Sequence, residues 1–441
     1  MKIENITLSN FRCFDSIKMN FHDKLLTVIV ARNGHGKTSF LDAIAVALGT
    51  FVGAFDLSKA KGFSSSDARY LQLPDTNVNE QQYPVMVKAN LAEPTMFVLR
   101  KLTGKKTGTT IGGASKITEY GKELMQKVRE QQNVTLPVIA YYGSGRLWNA
   151  HKNMERKSVL TESRTMGYEN CLSSASNFKQ IQQWLIKATY AVMQQKEMPE
   201  KYTDYALSQQ VDGIKAAVNQ VLAGEGWNNF HYSIRHEELA MFHSQQGILP
   251  VSILSDGIRA MISLTADLAW RCAKLNPHFK EQAYQATQGI VLIDEVDIHL
   301  HPAWQQKVIP SLLETFPKIQ FIVTTHSPQL LTTVKSDCIR IVNDGSVYCS
   351  PKGTKGAEAS RILKRVFGTD LRPPSDENTK LLNTYLDLIY DDQWVNNKVV
   401  LSEMRNIRQQ LDEIYVDEEP ALTEADLYIE NKEWELSLEK N

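Results

Sequence analysis

The amino-acid sequence predicts an α/β fold built around a buried parallel sheet that carries a site along one edge. Residues 25–30 form a continuous apolar run, which is followed by a glycine-containing turn and by helical patterning over residues 38–48. Two later apolar runs, residues 289–293 and 320–325, turn polar at their ends. Apolar strands without alternation are typical of sheets covered on both faces, and such sheets carry sites at the carboxyl ends of their strands.

The remaining elements of the first 250 residues follow from local patterns. Residues 85–102 alternate well enough to predict an antiparallel pair of strands. Residues 103–118 are rich in Gly, Thr and Lys and predict a flexible loop. A further apolar strand spans residues 136–142, and residues 150–225 carry helical patterning. The helical residues predict an insertion between the two halves of the sheet.

The last part of the chain is predicted to be helical and acidic. Arg372, Pro373 and Pro374 interrupt the preceding pattern. Beyond them, apolar residues recur every three or four positions from Leu401 to Ile414, as expected for an amphipathic helix with one apolar stripe.

Length and composition bound the class of protein. The 441 residues suffice for two or three domains, or for one split domain with insertions. No apolar run approaches the length needed to span a membrane, and the N-terminus lacks the apolar core of a secretory signal. The five cysteines are scattered without CxxC spacing, which argues against a disulfide framework or a zinc knuckle. We therefore expect a cytoplasmic protein with no membrane contact.

Charge is distributed unevenly along the chain, although the net charge is only −1. Residues 401–441 hold twelve acidic and four basic residues, whereas residues 100–164 hold thirteen basic and five acidic ones. A basic body and an acidic tail point to a polyanion on one surface and a protein partner on another. Two ordinary solvated faces would give the same pattern.

The turn after the first apolar strand has the composition of a phosphate-binding loop. Glycines let the backbone curl around a phosphate chain, and the following helix adds the positive end of its dipole. Lys37 would neutralise the β- and γ-phosphates, and Thr38 would offer its hydroxyl to Mg²⁺. Ala31 stands where this motif usually opens with glycine. The residues assigned here to nucleotide binding are Asn33, Gly34, His35, Gly36, Lys37, Thr38 and Ser39.

Two more motifs follow the later strands. Asp294 is predicted to bind Mg²⁺ through its water shell, and the adjacent Glu295 to orient and polarise the attacking water. His326 follows the next strand, where a histidine can stabilise the charge of the γ-phosphate during in-line displacement. Acidic pairs and single histidines are common at strand ends, so neither motif alone indicates catalysis. Their occurrence in this order after a phosphate-binding loop does.

A fourth motif, Leu254-Ser255-Asp256-Gly257, opens a predicted helix. A serine followed by glycine at a helix N-terminus can bind an anion. Taken alone, the motif is better explained as an ordinary capped helix start.

The order of the four motifs, followed by Asp297 beyond Glu295, resembles the ABC-type ATPase heads of RecF, Rad50 and SMC proteins. Asn10-Phe11-Arg12 is also similar to the strand on the nucleotide side of those heads, and this adds Arg12 to the nucleotide-binding residues. The resemblance implies a two-lobed ABC-type P-loop ATPase head with a helical insertion and a helical acidic C-terminal appendage. It also implies a head-to-head dimer, in which ATP lies between Lys37 of one copy and the signature residues Ser255 and Gly257 of the other.

Residues 136–148, 293–302 and 320–329 are similar to a bacterial subfamily, the PtuA ATPases of Septu anti-phage systems and some retrons. Members of that subfamily are paired with an HNH nuclease, PtuB. The resemblance implies ATP and Mg²⁺ as cofactors, a homodimer or higher oligomer, a PtuB-like HNH partner, and DNA. Asp256, where many ABC proteins have glycine, is a departure.

Two other functions stay open. A RecF- or Rad50-like repair ATPase fits the motifs, but the insertion is too short for the long coiled coils of Rad50 and SMC proteins, and RecF leaves the acidic tail unexplained. An OLD-type ATPase would carry its own nuclease domain, which the short segment beyond His326 disfavours.

His299 and His301 beside Asp297 could suggest a metal or nuclease site. The resemblance instead places them in the loop at the dimer interface. Since no further cluster supplies an HNH or Toprim-like set, we expect that the chain does not itself cut nucleic acid.

The resemblance also implies four regions. Residues 1–149 form the first ATPase lobe with the phosphate-binding loop, and residues 150–250 form the helical insertion with returning strands. Residues 251–370 form the second lobe with the signature, acidic pair and histidine, and residues 371–441 form an acidic helical segment that docks a partner.

Overall fold

The chain is described by a computed structural model, which covers residues 1–21, 25–72, 78–145, 163–174, 178–198, 206–392, 394–395, 397–415 and 419–439. It divides into two compact units, Met1–Phe367 and Gly368–Asn441. The division falls close to the interruption at Arg372. The predicted boundary between residues 149 and 150 lies outside the described residues.

Strands in the described residues form four sheets, all of them in the first unit. The strands are β1 (Lys2–Phe11), β2 (Phe14–Asn20), β3 (Leu26–Ala31), β4 (Tyr70–Gln72), β5 (Asn79–Gln81), β6 (Val85–Ala92), β7 (Met96–Leu102), β8 (Val138–Tyr142), β9 (Trp227–Ser233), β10 (Glu238–His243), β11 (Gly247–Pro250), β12 (Gly289–Ile293), β13 (Ile319–Thr324), β14 (Ile339–Asn343) and β15 (Ser346–Cys349). The sheet orders are β15-β14-β3-β13-β12-β8, β2-β1-β6-β7, β11-β10-β9 and β4-β5.

Helices connect the strands of the first unit and make up the regular structure of the second. They are α1 (Lys37–Val52), α2 (Ser115–Arg129), α3 (Phe178–Glu197), α4 (Ala206–Leu222), α5 (Asp256–Leu275), α6 (Ala283–Ala286), α7 (Pro302–Gln305), α8 (Val308–Thr315), α9 (Pro328–Leu331), α10 (Ala359–Ile362), α11 (Glu377–Tyr390), α12 (Lys398–Ile414) and α13 (Pro420–Glu439). None of the described helices is both long and apolar enough to cross a membrane.

The predicted parallel sheet is confirmed. Strands β3, β13, β12 and β8 run parallel, and all of their residues are buried. Ile293 pairs with Val323 and with Tyr142, and Thr324 pairs with Ile29. The carboxyl ends of the strands therefore meet at one edge of the sheet, where the polar residues that follow them gather.

Helix α1 fills the space between this sheet and the antiparallel sheet β2-β1-β6-β7, since it contacts strands of both. The prediction of a helix over residues 38–48 is confirmed, and the helix extends to Val52. Gln320 on β13 joins the two sheets directly. Its side-chain oxygen accepts from the backbone N–H of Ile3 at 2.8 Å, and its nitrogen donates to the carbonyl of Ile3 at 2.9 Å.

The antiparallel pair predicted over residues 85–102 is confirmed as β6 and β7. The flexible loop predicted over residues 103–118 is wrong at its end, because α2 already begins at Ser115. Ile117 and Leu124 are buried on one face of α2, so packing outweighs the loop-like composition of its first residues. Even before the helix, the N–H of Thr110 donates to the carbonyl of Lys101 at 2.8 Å.

The described part of the predicted insertion is helical, as expected. Helices α3 and α4 both contact α5, and Trp184 of α3 is fully buried against Trp270 of α5. Strands β9, β10 and β11 return the chain to the start of α5 at Asp256.

The second unit has a small core of its own, formed by α11, α12 and α13. The predicted apolar stripe of α12 is confirmed at Met404, Ile407 and Leu411, which are buried in this core. Ile414, at the end of the stripe, is only partly covered and is 38% exposed.

Candidate active site

The phosphate-binding loop owes its shape to two glycines in the left-handed region. Gly34 has φ 80° and Gly36 has φ 85°, values that residues with a side chain rarely adopt. Gly36 also has no room for a larger residue. A Cβ atom there would lie 2.3 Å from Cζ of Phe14 and 2.7 Å from Sγ of Cys13. The loop is therefore packed directly against the turn between β1 and β2.

Lys37, the first residue of α1, is only 7% exposed. Its ammonium donates to the carbonyl of Ala31 at 3.0 Å, across the base of the loop. Burial lowers the pKa of Lys37, and the carboxylates of Glu295, Asp294 and Asp297 act in the opposite direction. An ammonium group has three donors, so this position is suited to an anion that enters the loop.

Asp294 is the buried centre of the site, with 4% exposure. Its Oδ2 accepts from Oγ1 of Thr38 at 2.9 Å, and its Oδ1 accepts from Oγ1 of Thr324 at 2.6 Å. Its backbone N–H donates to the carbonyl of Tyr142 at 2.8 Å. A hydrogen bond between Thr38 and Asp294, which are 256 positions apart in sequence, thus joins the phosphate-binding loop to the acidic pair.

The oxygen atoms of Thr38 and Asp294 fit Mg²⁺, which usually keeps several waters and takes one or two protein oxygens along with phosphate oxygens. The described residues contain no cluster of three or more His, Cys, Asp or Glu side chains that could hold a metal ion by itself. At a site of this kind, the remaining ligands of Mg²⁺ would be phosphate oxygens and waters.

Glu295 adopts a left-handed backbone conformation, with φ 47°. Such a conformation costs energy for a residue with a side chain and persists where neighbours fix it. Here the backbone N–H of Glu295 donates to Oγ1 of Thr324 at 2.7 Å, and that of Val296 donates to the carbonyl of Thr324 at 3.0 Å. Thr324 therefore sets the conformation of both acidic residues. Thr324 lies within residues 320–329, which carry part of the family resemblance, but nothing in its spacing distinguishes it from Thr325.

His326 lies half-buried at the same edge of the sheet. Burial lowers its pKa, the ammonium of Lys37 lowers it further, and the carboxylates of Asp297, Glu295 and Asp294 oppose these effects. His326 is consequently neutral at pH 7, so one of its ring nitrogens donates a hydrogen bond and the other accepts one.

Arg12 is held by protein carboxylates. Its Nη1 lies 2.9 Å from Oδ2 of Asp42, and its Nη2 lies 2.9 Å from Oδ1 of Asp67. Lys61 also pairs with Asp42 at 2.9 Å. Burial acts to lower the pKa of Arg12, but the two carboxylates outweigh it and raise that pKa. The assignment of Arg12 to nucleotide binding stays a prediction.

The signature residues stand apart from this cluster. Ser255 is the exposed N-cap of α5, and its side chain makes no capping hydrogen bond. Gly257 is packed against the segment beyond Glu295, because a Cβ atom there would lie 2.6 Å from the carbonyl oxygen of His299. Within the described residues, no hydrogen bond joins Ser255 or Gly257 to the phosphate-binding loop.

The structure thus brings Lys37, Thr38, Asp294, Glu295 and His326 to one edge of the sheet. A buried cation and glycine-shaped loop can hold a phosphate chain, and two carboxylates and a neutral imidazole stand beside it. This combination suits hydrolysis of a nucleoside triphosphate, in which charge must be neutralised and a water molecule oriented.

Two family profiles match the chain. One, described as "AAA domain", matches residues 5–222, and the other, described as "AAA domain, putative AbiEii toxin, Type IV TA system", matches residues 181–332. Among solved structures, the SMC head domain from Thermotoga maritima covers 80% of this chain and 100% of its own length, with 14% identity and a TM-score of 0.41.

Two relatives carry names that describe their roles. The "Retron Ec83 probable ATPase" of Escherichia coli is 27% identical, over 100% of this chain and 89% of its own length. The "Septu protein PtuA" of Bacillus mycoides is 24% identical, over 74% of this chain and 38% of its own length. With the motif order and the site geometry, these similarities identify the chain as an ABC-type ATPase close to PtuA.

Proposed function

We propose that the chain is the cytoplasmic ATP-binding and ATP-hydrolysing subunit of a bacterial anti-phage defence system. In this proposal it dimerises around ATP and regulates a partner HNH nuclease that acts on DNA. Similarity to a retron ATPase and to a Septu protein supports the defence setting. The observation that carries the ATP-driven part is the hydrogen bond from Thr38 to Asp294, which links the phosphate-binding loop to the acidic pair.

Each residue of the site has a separate task in the proposed hydrolysis. Lys37 and the loop N–H groups hold the phosphates, and Thr38 with Asp294 would hold Mg²⁺, which supplies charge neutralisation when bound. Glu295 accepts a hydrogen bond from the attacking water and orients it. His326, neutral at pH 7, donates a hydrogen bond toward the γ-phosphate.

The exposed Ser255 supports the proposal of a dimer. Within the described residues its hydroxyl makes no capping bond and no bond to the chain's own phosphate-binding loop, which is compatible with a role in binding an anion held by another copy. In the proposed dimer it meets the nucleotide held by Lys37 of the second copy. Asp297 has one buried oxygen, Oδ1, without a hydrogen-bond partner in the described residues, and it faces the same interface in this proposal.

Mixing two inactive variants tests the dimer. Ser255→Arg blocks the signature of one copy, and Lys37→Ala empties the loop of the other. A mixed dimer has one site with both an intact Lys37 and an intact Ser255, so ATPase activity should return on mixing. If Ser255→Arg leaves both ATPase activity and ATP-dependent dimerisation intact, the sandwiched dimer is refuted.

Helix α13 offers a surface for the partner, because it has apolar residues on two opposite faces. Leu422 and Ala425 are buried in the core of the second unit. Leu427, Trp434 and Leu438 follow one another at helical spacings on the other face and are 56%, 64% and 55% exposed. Exposed apolar stripes of this kind mark interaction sites, and tryptophan is a frequent anchor.

The charges beside this stripe indicate the chemistry of the partner. Glu424, Glu430 and Glu435 are exposed on the same helix and form no ion pair within the described residues. Because this surface is negatively charged, two copies of it would repel each other, and it would also repel the phosphates of a nucleic acid. The stripe therefore suits a protein with an apolar ridge bordered by Lys or Arg, which in this proposal is the nuclease.

Regulation requires that the nuclease or DNA bind one nucleotide state of the dimer more tightly than the other. Equal affinity for both states would leave the equilibrium between them unchanged. The decisive sample is this chain co-expressed with the product of a neighbouring gene, which this proposal expects to be an HNH protein. The complex should assemble, and ATP should change its nuclease activity. Nuclease activity in the purified chain alone would refute the division of labour and favour an OLD-type protein.

The docking surface has a matched test. Trp434→Ala should weaken co-purification of the HNH protein on the order of 10-fold or more, as expected for an aromatic anchor. Val399→Ala is the control, since Val399 is 76% exposed but lies on α12 and not on the exposed stripe of α13. If Trp434→Ala and Val399→Ala bind the partner equally well, the stripe is not the docking site.

A further inference from the structure

Gln305, the last residue of α7, bridges two segments of the site with the two ends of its side-chain amide. Its Nε2 donates to the carbonyl of Leu300 at 2.9 Å. Its Oε1 accepts from Oγ of Ser327 at 2.6 Å. A planar amide bonded at both ends keeps its two partners at a fixed separation.

The Leu300 end of the bridge belongs to the segment between the acidic pair and α7. The N–H of Leu300 donates to the carbonyl of Asp297 at 3.1 Å, which closes this segment into a tight turn. On its other side the turn touches the signature, because Gly257 approaches the carbonyl of His299 too closely for a Cβ atom. The turn is thus packed between the start of α5 and Gln305.

The Ser327 end of the bridge adjoins His326. Ser327 is 4% exposed, and its Oγ also accepts from the N–H of Leu330, so it caps α9. Its own N–H donates to Oγ1 of Thr325 at 2.9 Å. With Thr325 and Ser327 both fixed, the backbone of His326 between them has little freedom.

We propose that Gln305 is a positioning residue that couples the turn beyond the acidic pair to His326. A displacement of the turn at Leu300 is passed through the amide of Gln305 to Ser327 and from there to the imidazole. Since the turn also packs on Gly257, any contact made by the signature of the same chain reaches His326 along this path.

The inference deepens the proposed function and rests on it in two respects. It takes His326 as the residue that acts on the γ-phosphate, and it takes the signature as the contact with the second copy. In that dimer, occupation of the second copy's nucleotide site would be sensed by His326 of the first, so the two sites would hydrolyse ATP cooperatively.

The test replaces Gln305 by methionine, which keeps the length of the side chain but has no amide. Gln305→Met should lower kcat about 10-fold, because a displaced catalytic group loses productive geometry, while KM changes less than about 2-fold. The Hill coefficient for ATP should fall toward 1. Gln306→Leu is the control, since Gln306 makes a comparable bond at 2.8 Å to Gln329 on the exposed side.

A second background shows whether Gln305 acts through His326. In a His326→Gln chain, adding Gln305→Met should not lower kcat further, because the residue that it positions is already lost. A further drop of the same size in that background would overturn the proposal, as would an equal loss of kcat in Gln306→Leu. Gln305→Leu provides a second replacement if the methionine variant fails to fold.

Failure of the underlying function gives different results. If wild-type protein shows no ATP-dependent dimer, the cooperative part loses its basis and the proposed dimer is refuted, while the kcat effect of Gln305→Met still measures the bridge. If His326→Gln retains full kcat, His326 has no role in hydrolysis, and positioning through it is overturned.

Discussion

Replacement of Thr324 by valine removes one hydroxyl without changing the shape of the side chain. Thr324 is fully buried, and its Oγ1 both donates to Oδ1 of Asp294 and accepts from the N–H of Glu295. The variant therefore leaves a buried carboxylate oxygen and a part-buried backbone N–H without these partners. It also releases Glu295 from the contact that holds its left-handed conformation.

The expected loss follows from those two bonds. A hydrogen bond to a charged group contributes about 1.5–3 kcal/mol, and an unsatisfied buried N–H costs about 1–3 kcal/mol. Because the N–H of Glu295 is only part-buried, the lower end of the second range applies, and the free energy of unfolding of the first unit should fall by about 2.5–4 kcal/mol. Because Glu295 is no longer fixed, kcat should also fall, on the order of 10-fold, with a smaller change in ATP affinity.

The assay is urea unfolding followed by circular dichroism, with steady-state ATPase measurements on the same samples. The control is Thr27→Val on the neighbouring strand β3. Thr27 is also fully buried, but its Oγ1 has no hydrogen-bond partner in the described residues, so its removal should leave stability unchanged or raise it. If both variants lose equal stability, or if Thr324→Val retains full kcat, the bridging role of Thr324 is refuted.

Three further predictions concern ionisable groups of the site. Lys37→Ala should weaken ATP binding by a factor on the order of 100 or more, since the phosphates would face backbone donors alone; unchanged affinity by calorimetry would contradict the loop assignment. Glu295→Gln should keep ATP bound and slow hydrolysis on the order of 100-fold, which should make the ATP-bound dimer easier to isolate by gel filtration; a normal rate would exclude Glu295 as the catalytic carboxylate. The pKa of His326 is lowered in the folded chain, so the unfolded chain takes up the proton first as pH falls through about 6.5. The contribution of His326 to the free energy of unfolding is therefore present above that pH and is lost below it. His326→Gln should reduce the loss of unfolding free energy between pH 7 and pH 5, and an identical pH dependence of both proteins would show that His326 does not titrate in this way.

Much of the sheet and its edge could be predicted because the signals are local. Residues Gly289–Ile293 are apolar throughout and end at Asp294, and the turn before Lys37 needs glycine for its backbone shape. Patterns of this kind depend on burial and backbone conformation, which neighbouring residues largely determine.

Contacts between distant segments could not be predicted in this way. Nothing near Gln305 indicates that its amide reaches Ser327, and nothing near Arg12 indicates that Asp42 and Asp67 hold it. The start of α2 at Ser115 was missed for a related reason, since burial of its apolar face outweighs the loop-like composition.

The order of the central sheet also bears on synthesis of the protein at the ribosome. Strand β3 leads into the phosphate-binding loop, and its two neighbours are β13 (Ile319–Thr324) and β14 (Ile339–Asn343). A nascent chain therefore holds β3 without either neighbour until most of the first unit has been translated. Long-range parallel pairing of this kind forms slowly and leaves apolar edges exposed meanwhile. Prematurely terminated chains should accordingly bind no nucleotide and should depend on chaperones or proteases for their removal.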